Sequence, residues 1–168
     1  MARVRVHQHV NPLAKYYREL PMKPLEIEKV FADPKLALHL DIGCGRGRFL
    51  LEMAEIKKDW NFLGVEIREP LVIEANQTSN KQNMSNLHYE FCNATLDLDI
   101  LLQKIPDDIL QLVTIQFPDP WFKKKHAKRR MVKDSLVETV AENLAVNGKV
   151  FIQTDVEFLA KEMFELFE

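Results

Sequence analysis

The 168-residue chain has the length of a single domain, and its 46% hydrophobic and 29% charged residues are ordinary for a globular protein. No apolar run approaches the roughly 20 residues of a membrane span, and the first residues lack the apolar core of a signal peptide, which argues against transmembrane and secreted classes. Two cysteines, Cys44 and Cys92, are too few for a disulfide framework, so we expect a cytoplasmic protein.

Charge is unevenly spread along the chain, although the formal net charge is only −2. Residues 1–24 carry +4 and residues 121–133 carry +7, which leaves −13 on the rest. Two basic segments on an acidic body indicate a localised site for a polyanion. Solvated lysine-rich faces would explain the same charges, and the charges alone do not choose between the two.

The first 24 residues are predicted to form an extended basic N-terminal arm. They contain Pro12, Pro21 and Pro24 and show no hydrophobic periodicity, and Tyr16 and Tyr17 lie next to each other. Such an arm can lie along nucleic acid, although chain termini are also where disorder concentrates. We expect one domain to follow it, over residues 25–168.

The first predicted strand, Leu36–Ile42, is nearly continuous apolar sequence, as in a strand buried on both faces of a parallel sheet. His39 within it is predicted to be a core histidine rather than a catalytic one. Three of the five glycines of the chain follow at once, and a helix begins after them: Gly43, Gly45 and Gly47. The order strand, glycine loop, helix lets the backbone approach a ligand closely.

Asp41, just before the glycine loop, indicates which ligand to expect. An acid at this point repels a pyrophosphate but attracts an ammonium or a sulfonium group. The spacing Gly-x-Gly-x-Gly also differs from the dinucleotide pattern Gly-x-Gly-x-x-Gly. Both features favour S-adenosylmethionine over a dinucleotide, with a glycine turn that binds nothing as the alternative.

Polar residues also end the next two predicted strands. Glu66 lies at the end of Phe62–Ile67, 19 residues after Gly47. An acid at about that separation commonly accepts hydrogen bonds from both ribose hydroxyls of a nucleoside, and a surface glutamate is the alternative. Asn93 follows the strand Leu87–Phe91, where its amide can pair with the edge of adenine or serve as a plain turn residue.

The fourth predicted strand, Leu110–Phe117, leads into the most distinctive stretch of the chain. Pro118 and Pro120 fix a stiff turn around Asp119, and Trp121 follows. A carboxylate on a rigid turn beside an aromatic ring suits a site for a planar base, although Trp121 can equally fill the core beneath the turn. A dense basic run that suits phosphates comes next: Lys123, Lys124, Lys125, Lys128, Arg129 and Arg130.

The last predicted elements are a helix, a fifth strand and a final helix. Ser135 and Glu138 form a capping-box pattern at the start of a helix. Asp155 follows the fifth strand, Val150–Thr154, and either caps the last helix or contacts the substrate. Strands and helices alternate along the whole domain, so the sequence predicts an α/β fold with a doubly wound, mostly parallel sheet.

Four motifs and the basic run, over about residues 36–160, together carry a family resemblance. The motifs are Asp41-Ile-Gly-Cys-Gly-Arg-Gly, Gly64-Val-Glu-Ile, Phe117-Pro-Asp-Pro-Trp and Gln153-Thr-Asp-Val-Glu. They resemble the motifs of the tRNA (guanine-N7)-methyltransferases. The glycine loop alone marks the class I methyltransferase fold, and Pro-Asp-Pro-Trp followed by basic residues is far more specific.

The resemblance implies a Rossmann-like class I fold and methyl transfer from S-adenosylmethionine to N7 of guanosine 46 in the tRNA variable loop, with S-adenosylhomocysteine as product. It implies a cofactor and catalytic pocket lined by Asp41, Glu66, Asn93 and Asp119. It also implies that Lys123 and Asp155 face the tRNA. Because the family continues through two further strands, we expect a C-terminally truncated chain with its last strands missing and its fifth strand exposed at an edge.

Guanine N7 carries a lone pair in the major groove and needs no deprotonation before it attacks a methyl sulfonium. We therefore expect no metal and no strong general base, and the sequence has no His-x-x-x-His or Cys-x-x-Cys pattern. Two roles for Asp119 stay open. It either accepts from the N1–H and N2–H₂ edge of a flipped guanine, or stabilises the cationic ring without touching it.

Two alternative functions stay open, an enzyme with a different methyl acceptor and a protein of another functional class. Amino-methyltransferases carry Asn/Asp-Pro-Pro and an aromatic residue after strand four, whereas this chain has Pro-Asp-Pro-Trp. A non-catalytic RNA-binding module could keep the fold without turnover, but the presence of Asp41, Glu66 and Asp119 argues against inherited loss of activity. The sequence leaves the oligomeric state and the set of tRNAs open.

Overall fold

The computed structural model describes residues 5–168, and a five-stranded parallel sheet forms its centre. The strands are β1 (Ala37–Ile42), β2 (Trp60–Glu66), β3 (Leu87–Phe91), β4 (Leu110–Gln116) and β5 (Lys149–Gln153). Their order is β3-β2-β1-β4-β5, and all neighbouring pairs run parallel. The predicted α/β class and doubly wound sheet are confirmed. Residues 1–4 of the predicted arm, including Arg3, lie outside the described residues.

Helices alternate with the strands. They are α1 (Lys15–Arg18), α2 (Ile27–Val30), α3 (Arg48–Ile56), α4 (Glu69–Lys81), α5 (Ala94–Leu102), α6 (Asp134–Asn143) and α7 (Glu157–Phe167). A 3₁₀ helix, Lys124–Arg129, lies between β4 and α6. None of the helices between residues 5 and 168 combines the length and apolar character needed to span a bilayer.

The core lies on both faces of the sheet, as the nearly continuous apolar sequences of β1 and β2 predict. On one face, Leu38, Leu40 and Ile42 pack with buried side chains of α5, α6 and α7. On the other face, Phe62 and Tyr89 pack against α3 and α4. Because both faces are covered, a polar side chain can reach the ligand only where a strand ends.

The strand order sets the place for a site. The chain adds β2 and β3 on one side of β1 and then crosses back to place β4 on the other side. The loops that leave β1 and β4 therefore diverge, and a crevice opens between them at the carboxyl ends of the strands. The glycine loop follows β1 and the Pro-Asp-Pro turn follows β4, so both border this crevice.

The predicted capping box is wrong, and so is one of the two alternatives for Asp155. Ser135 lies in the first turn of α6 rather than before it, and the N-cap position belongs to Lys133, which makes no side-chain cap hydrogen bond. Asp155 does not cap α7, because Val156 takes the N-cap position. The N–H of Val156 instead donates to the hydroxyl of Thr154 at 3.2 Å, which leaves the Asp155 side chain free of a capping role.

Strand β5 forms one edge of the sheet, where the sequence predicts an exposed fifth strand. Its side chains alternate between exposed and half-buried, and Phe151 is 51% exposed. The exposed edge is thus confirmed for the described residues.

Candidate active site

One pocket lies at the crevice between β1 and β4 and is bordered by several strand ends. Of the predicted site residues, it is lined by Gly43, Glu66, Asn93, Asp119 and Arg129. The others lie outside its lining, and they are Asp41, Gly45, Gly47, Lys123, Lys124, Lys128, Arg130 and Asp155. The structure therefore brings together Glu66 at the end of β2, Asn93 after β3 and Asp119 after β4.

The glycine loop needs its glycines for backbone conformation and for space. Gly43, Gly45 and Gly47 have φ angles of 81°, 57° and 71°, the left-handed region in which a side chain is strained. A Cβ on Gly47 would also overlap the ring of Tyr89. The Tyr89 hydroxyl donates to the carbonyl of Gly47 at 2.5 Å, so this strand-β3 side chain fixes the end of the loop.

Asp41 is buried at the end of β1, behind the glycine loop. The strand register places it opposite Thr114 of β4, whose hydroxyl donates to the carboxylate at 2.6 Å. Burial raises the pKa of Asp41, and hydrogen bonds from Thr114 and Gln116 oppose that rise only in part. Its negative charge is therefore one that a nearby cation would stabilise.

His39 is a core residue, as predicted, with an exposed fraction of 1%. Its Nε2 lies 3.0 Å from the hydroxyl oxygen of Thr114. Because that hydroxyl donates its proton to Asp41, the Nε2–H of His39 is the donor in this contact. Burial lowers the pKa of His39 to about 4, so the ring is neutral near neutral pH.

Glu66 is buried at the end of β2 and faces the pocket. Its carboxylate accepts from the backbone N–H of Gly45 at 2.9 Å. It also accepts from Arg68, through the backbone N–H at 3.0 Å and through the guanidinium at 2.9 Å to each oxygen. The carboxylate of Glu66 is thus already paired with a cation, Arg68, that the sequence analysis missed.

Asn93 is also buried, at 1% exposed, directly after β3. Its side-chain Nδ2 donates to the backbone carbonyl of Pro12 at 2.9 Å, so it anchors the N-terminal arm. Its Oδ1 is buried and has no hydrogen-bond partner within the described part of the chain. A buried carbonyl oxygen without a donor is uncommon and favours a ligand that brings one.

The Pro-Asp-Pro turn is strained at both ends. Phe117 and Trp121 have φ angles of 49° and 45°, which bulky side chains rarely adopt, at a cost of about 1–3 kcal/mol each. Arg130 opposes this strain by donating to the carbonyl oxygens of Pro120 at 2.9 Å and Trp121 at 3.4 Å. Its guanidinium also pairs with Glu162 of α7, so the turn is clamped to the body of the protein.

Asp119 stands at the tip of this turn, half-buried. Its Oδ1 lies 2.8 Å from Nδ1 of His9 in the N-terminal arm. Trp121 borders the same pocket: its ring packs edge-on against His9 at a centroid distance of 6.4 Å, and the guanidinium of Arg129 lies 5.0 Å above it. Trp121 is therefore a half-buried wall of the pocket, with cationic and imidazole groups around it.

The basic run divides into an exposed and an internal part. Four lysines on and just before the 3₁₀ helix are exposed, namely Lys123, Lys124, Lys125 and Lys128. Arg129 is half-buried over Trp121, and Arg130 is held by the turn and Glu162. The four lysines thus present their charge to an extended polyanion, Arg129 borders the pocket beside Trp121, and Arg130 holds the turn. Asp155 is exposed after β5 and does not touch the pocket.

The sequence analysis missed the part that the arm plays. Gln8, Val10 and Pro12 line the pocket, and the carbonyl of Gln8 accepts from Arg68 at 3.3 Å. These contacts join residues 60 to 110 positions apart, and no local pattern indicates them. The only available signal was the basic character of residues 1–24, which pointed to nucleic acid instead.

Within residues 5–168, no group of three or more His, Cys, Asp or Glu side chains is arranged to hold a metal ion. The polar side chains of the pocket are two carboxylates, three amides, two guanidinium groups and a hydroxyl, and this mixture of donors and acceptors suits a polar organic ligand.

Comparison with known proteins gives consistent results. Residues 35–168 match a family model described as "Putative methyltransferase". The tRNA (guanine-N(7)-)-methyltransferase of Trichormus variabilis is 60% identical over 164 residues, 98% of this chain and 76% of the relative. The protein of the same name from a Nostoc species is 58% identical over 98% of this chain and 74% of the relative.

Solved structures match at the level of the fold. PKMT2 from Rickettsia typhi, solved in complex with AdoHcy, has a TM-score of 0.55 and 24% identity over 75% of this chain and 23% of its own. The YcgJ protein from Bacillus has a TM-score of 0.51 and 20% identity over 75% of this chain and 47% of its own. These matches support the predicted Rossmann-like methyltransferase fold.

Proposed function

Because this chain belongs to the tRNA (guanine-N(7)-)-methyltransferase family, we propose that it methylates N7 of guanosine 46 in the variable loop of tRNA, with S-adenosylmethionine as the methyl donor. The observation that carries the proposal is the position of Asp119. It lies on a clamped turn that borders the same pocket as Glu66 and Asn93, next to a group of exposed lysines. A base, a nucleoside cofactor and phosphates can thus be held side by side.

The residues present fit this cofactor. Glu66 offers two acceptor oxygens for the ribose hydroxyls, and the orphaned Oδ1 of Asn93 can accept from the adenine amino group. The backbone at Gly43 borders the pocket, and a side chain there would have only Met131 nearby, so the loop leaves room for a ligand. S-Adenosylmethionine supplies a methyl group activated on a cationic sulfur and leaves as S-adenosylhomocysteine.

We assign Asp41 an electrostatic role, in which it attracts the cationic cofactor from its buried position behind the glycine loop. Its buried carboxylate, with its raised pKa, gains stability when a cation approaches from the pocket side. The methionine portion of the cofactor carries an ammonium group, which makes it the natural partner for this charge. Asp41 thus favours a cationic nucleoside over a dinucleotide, without lining the pocket itself.

Asp119 is assigned the role of holding the guanine and stabilising its charge. When N7 accepts a methyl group, positive charge appears on the purine ring, and a fixed carboxylate beside it lowers the energy of that state. The same carboxylate can accept from the N1–H and N2–H₂ edge of a flipped guanine and so align N7 with the methyl group. The clamp by Arg130 keeps the turn rigid enough for both roles.

The exposed lysines are assigned to the tRNA backbone. Lys123, Lys124, Lys125 and Lys128 follow Asp119 on a turn and a 3₁₀ helix, so phosphates bound there stay close to the pocket. Arg129 can reach the same backbone from the pocket wall, whereas Arg130 has a structural part, because its donors are used within the protein. Asp155 remains a proposed tRNA contact at the neighbouring end of β5.

Two further assignments belong to the proposal. Residues 1–24 are assigned to a basic arm and residues 25–168 to the methyltransferase domain, and residues 8–12 of the arm contact the pocket. The cytoplasm is the proposed compartment, because both cysteines are free thiols and the substrate is tRNA.

The proposal is tested by methyl transfer to tRNA. The protein is incubated with S-adenosylmethionine labelled in the methyl group and with unmodified tRNA, and strand scission specific for 7-methylguanosine then locates the product. We expect cleavage at position 46 and no incorporation into a matched tRNA in which guanosine 46 is replaced by adenosine. Label on an exocyclic amine, or equal label in both tRNAs, would refute the proposal.

A further inference from the structure

The side chain of His9 is placed on Asp119 although 110 residues separate them in the chain. Its Nδ1 lies 2.8 Å from Oδ1 of Asp119, a normal distance for a charge-assisted hydrogen bond. Since an ionised carboxylate can only accept, the Nδ1–H of His9 is the donor. In the described part of the chain, His9 is the only hydrogen-bond partner of the Asp119 side chain.

The arm that carries His9 is fixed on both sides of it. One residue before His9, the carbonyl of Gln8 accepts from the Arg68 guanidinium at 3.3 Å. Three residues after it, the carbonyl of Pro12 accepts from the buried amide of Asn93 at 2.9 Å. These two backbone anchors restrict the path of the arm across the pocket and deliver the imidazole to Asp119.

Building on the proposed function, we propose that His9 is a positioning residue, which donates a hydrogen bond to Oδ1 of Asp119 and thereby fixes the plane of the carboxylate for guanine. The imidazole uses one acceptor site of Oδ1, so Oδ2 and the second site of Oδ1 are left to accept from the N1–H and N2–H₂ groups of the purine. The contact with the edge of the Trp121 ring limits rotation of the imidazole from the other side. The reacting N7 then meets a carboxylate in one orientation rather than several.

The exposure of the pair explains why such a residue is needed. The side chains of His9 and Asp119 are 56% and 36% exposed, so water can compete for the carboxylate. The Pro-Asp-Pro turn fixes the backbone of Asp119 but not the rotation of its side chain. A donor from a separate, anchored segment removes that freedom.

The first test compares two substitutions of equal shape. His9→Asn keeps a donor at the place of Nδ1, because both nitrogens are bonded to Cγ, whereas His9→Leu has the same branching and no donor. In methyl transfer to tRNA, we expect His9→Leu to lower kcat about tenfold with little change in KM for S-adenosylmethionine, and His9→Asn to stay within about twofold of wild type. In an Asp119→Leu background, which has no acceptor for His9, His9→Leu should have no further effect.

Several results would overturn the proposal. Full activity of His9→Leu would mean that the contact has no part in turnover, and equal loss in His9→Leu and His9→Asn would mean that the hydrogen bond is not what matters. Faster turnover of His9→Leu would show that the arm blocks Asp119 instead of positioning it. Each variant is checked by thermal unfolding, so that loss of fold is recognised.

A second measurement does not depend on activity. The imidazole ¹⁵N resonances of His9 report the hydrogen bond at Nδ1, and we expect them to shift in Asp119→Asn but not in the control Asp155→Asn. Unchanged resonances in Asp119→Asn would overturn the proposal. If wild type transfers no methyl to guanine N7 while these resonances respond to Asp119→Asn, the proposed function fails and the His9–Asp119 contact stands.

Discussion

Arg68 donates to both carboxylate oxygens of Glu66, the residue proposed to accept from the ribose of the cofactor. The pair is largely removed from water, with exposed side-chain fractions of 22% for Arg68 and 3% for Glu66. The guanidinium therefore satisfies a buried charge that would otherwise be costly, and it competes with the ribose for the same oxygens. If Glu66 accepts from the ribose as proposed, cofactor binding requires at least partial release of Arg68.

Replacement of Arg68 by Met should change stability and cofactor affinity in opposite senses. Loss of the guanidinium leaves the buried carboxylate of Glu66 without its cationic partner. We expect the free energy of unfolding to fall by about 2 kcal/mol and Tm to fall by roughly 4–8 °C. Because the competitor is gone, S-adenosylmethionine should bind up to about tenfold more tightly by calorimetry. Glu74→Gln, which breaks the Arg46–Glu74 pair outside the pocket, is the control. Weaker cofactor binding in Arg68→Met would contradict competition.

The exposed lysines predict a strong salt dependence of tRNA binding. If about five phosphate contacts form, the logarithm of the affinity should fall against the logarithm of the salt concentration with a slope of about −3.5 to −4.5. Replacing Lys124, Lys125 and Lys128 by Gln should reduce the slope by about 2 to 3. The matched control replaces three exposed lysines at the opposite ends of the strands, Lys57, Lys58 and Lys104. Equal changes in both triple variants would show that binding is not localised.

Arg130 should behave differently from these lysines, because its guanidinium holds the Pro-Asp-Pro turn and Glu162. We expect Arg130→Gln to lower the unfolding temperature and kcat while leaving the slope of the salt dependence within about 0.5 of wild type. If the slope instead became shallower by about 0.7–0.9, the value for one phosphate contact, and stability were unchanged, Arg130 would be a phosphate ligand.

Glycine-to-alanine substitutions separate backbone strain from lack of space in the loop. Gly47→Ala combines a positive φ with overlap of the Tyr89 ring, whereas a Cβ at Gly43 has its nearest neighbour, a flexible Met131 atom, at 3.8 Å. We expect Gly43→Ala to cost about 1 kcal/mol from strain alone and Gly47→Ala about 3 kcal/mol or more in urea unfolding. Similar costs for the two variants would show that Tyr89 yields easily and does not fix the loop.

His39 predicts a loss of stability in acid. Its pKa is about 4 in the folded state, below the ordinary value, so the unfolded chain binds a proton at a higher pH than the folded chain does. The contribution of His39 to the free energy of unfolding is fully present above its pKa in the unfolded chain and is lost as the pH falls towards its pKa in the folded chain. At about pH 5, about 2 kcal/mol of this free energy is lost. Urea midpoints should show this fall in wild type and a shallower one in His39→Gln. Equal falls in both would mean that His39 is not the responsible group.

Local pattern was enough to predict the sheet and the ends of its strands. Nearly continuous apolar runs such as Leu36–Ile42 are typical of one place in an α/β domain, the centre of a covered sheet. Once the strands are parallel, the residues just past them must meet at one edge. The proximity of Glu66, Asn93 and Asp119 therefore follows from the sequence, and the positive φ angles of the glycine loop follow from its composition.

The contacts of the arm could not be predicted in this way. His9 and Pro12 belong to a segment without periodicity, and their partners Asp119 and Asn93 lie 110 and 81 residues away. The side-chain partner of each polar residue depends on packing that composition does not specify. For the same reason, the basic run gave no sign that Arg130 turns inward while Lys128 stays exposed.

The measurement that bears most directly on the role of Asp119 is the turnover of Asp119→Asn on unmodified tRNA, with the product located at guanine N7. Asparagine keeps the shape of the side chain but removes the charge that faces the purine. We predict that kcat falls by about a hundredfold while the affinity for S-adenosylmethionine changes little. Full turnover in this variant would contradict both the positioning and the electrostatic role of Asp119.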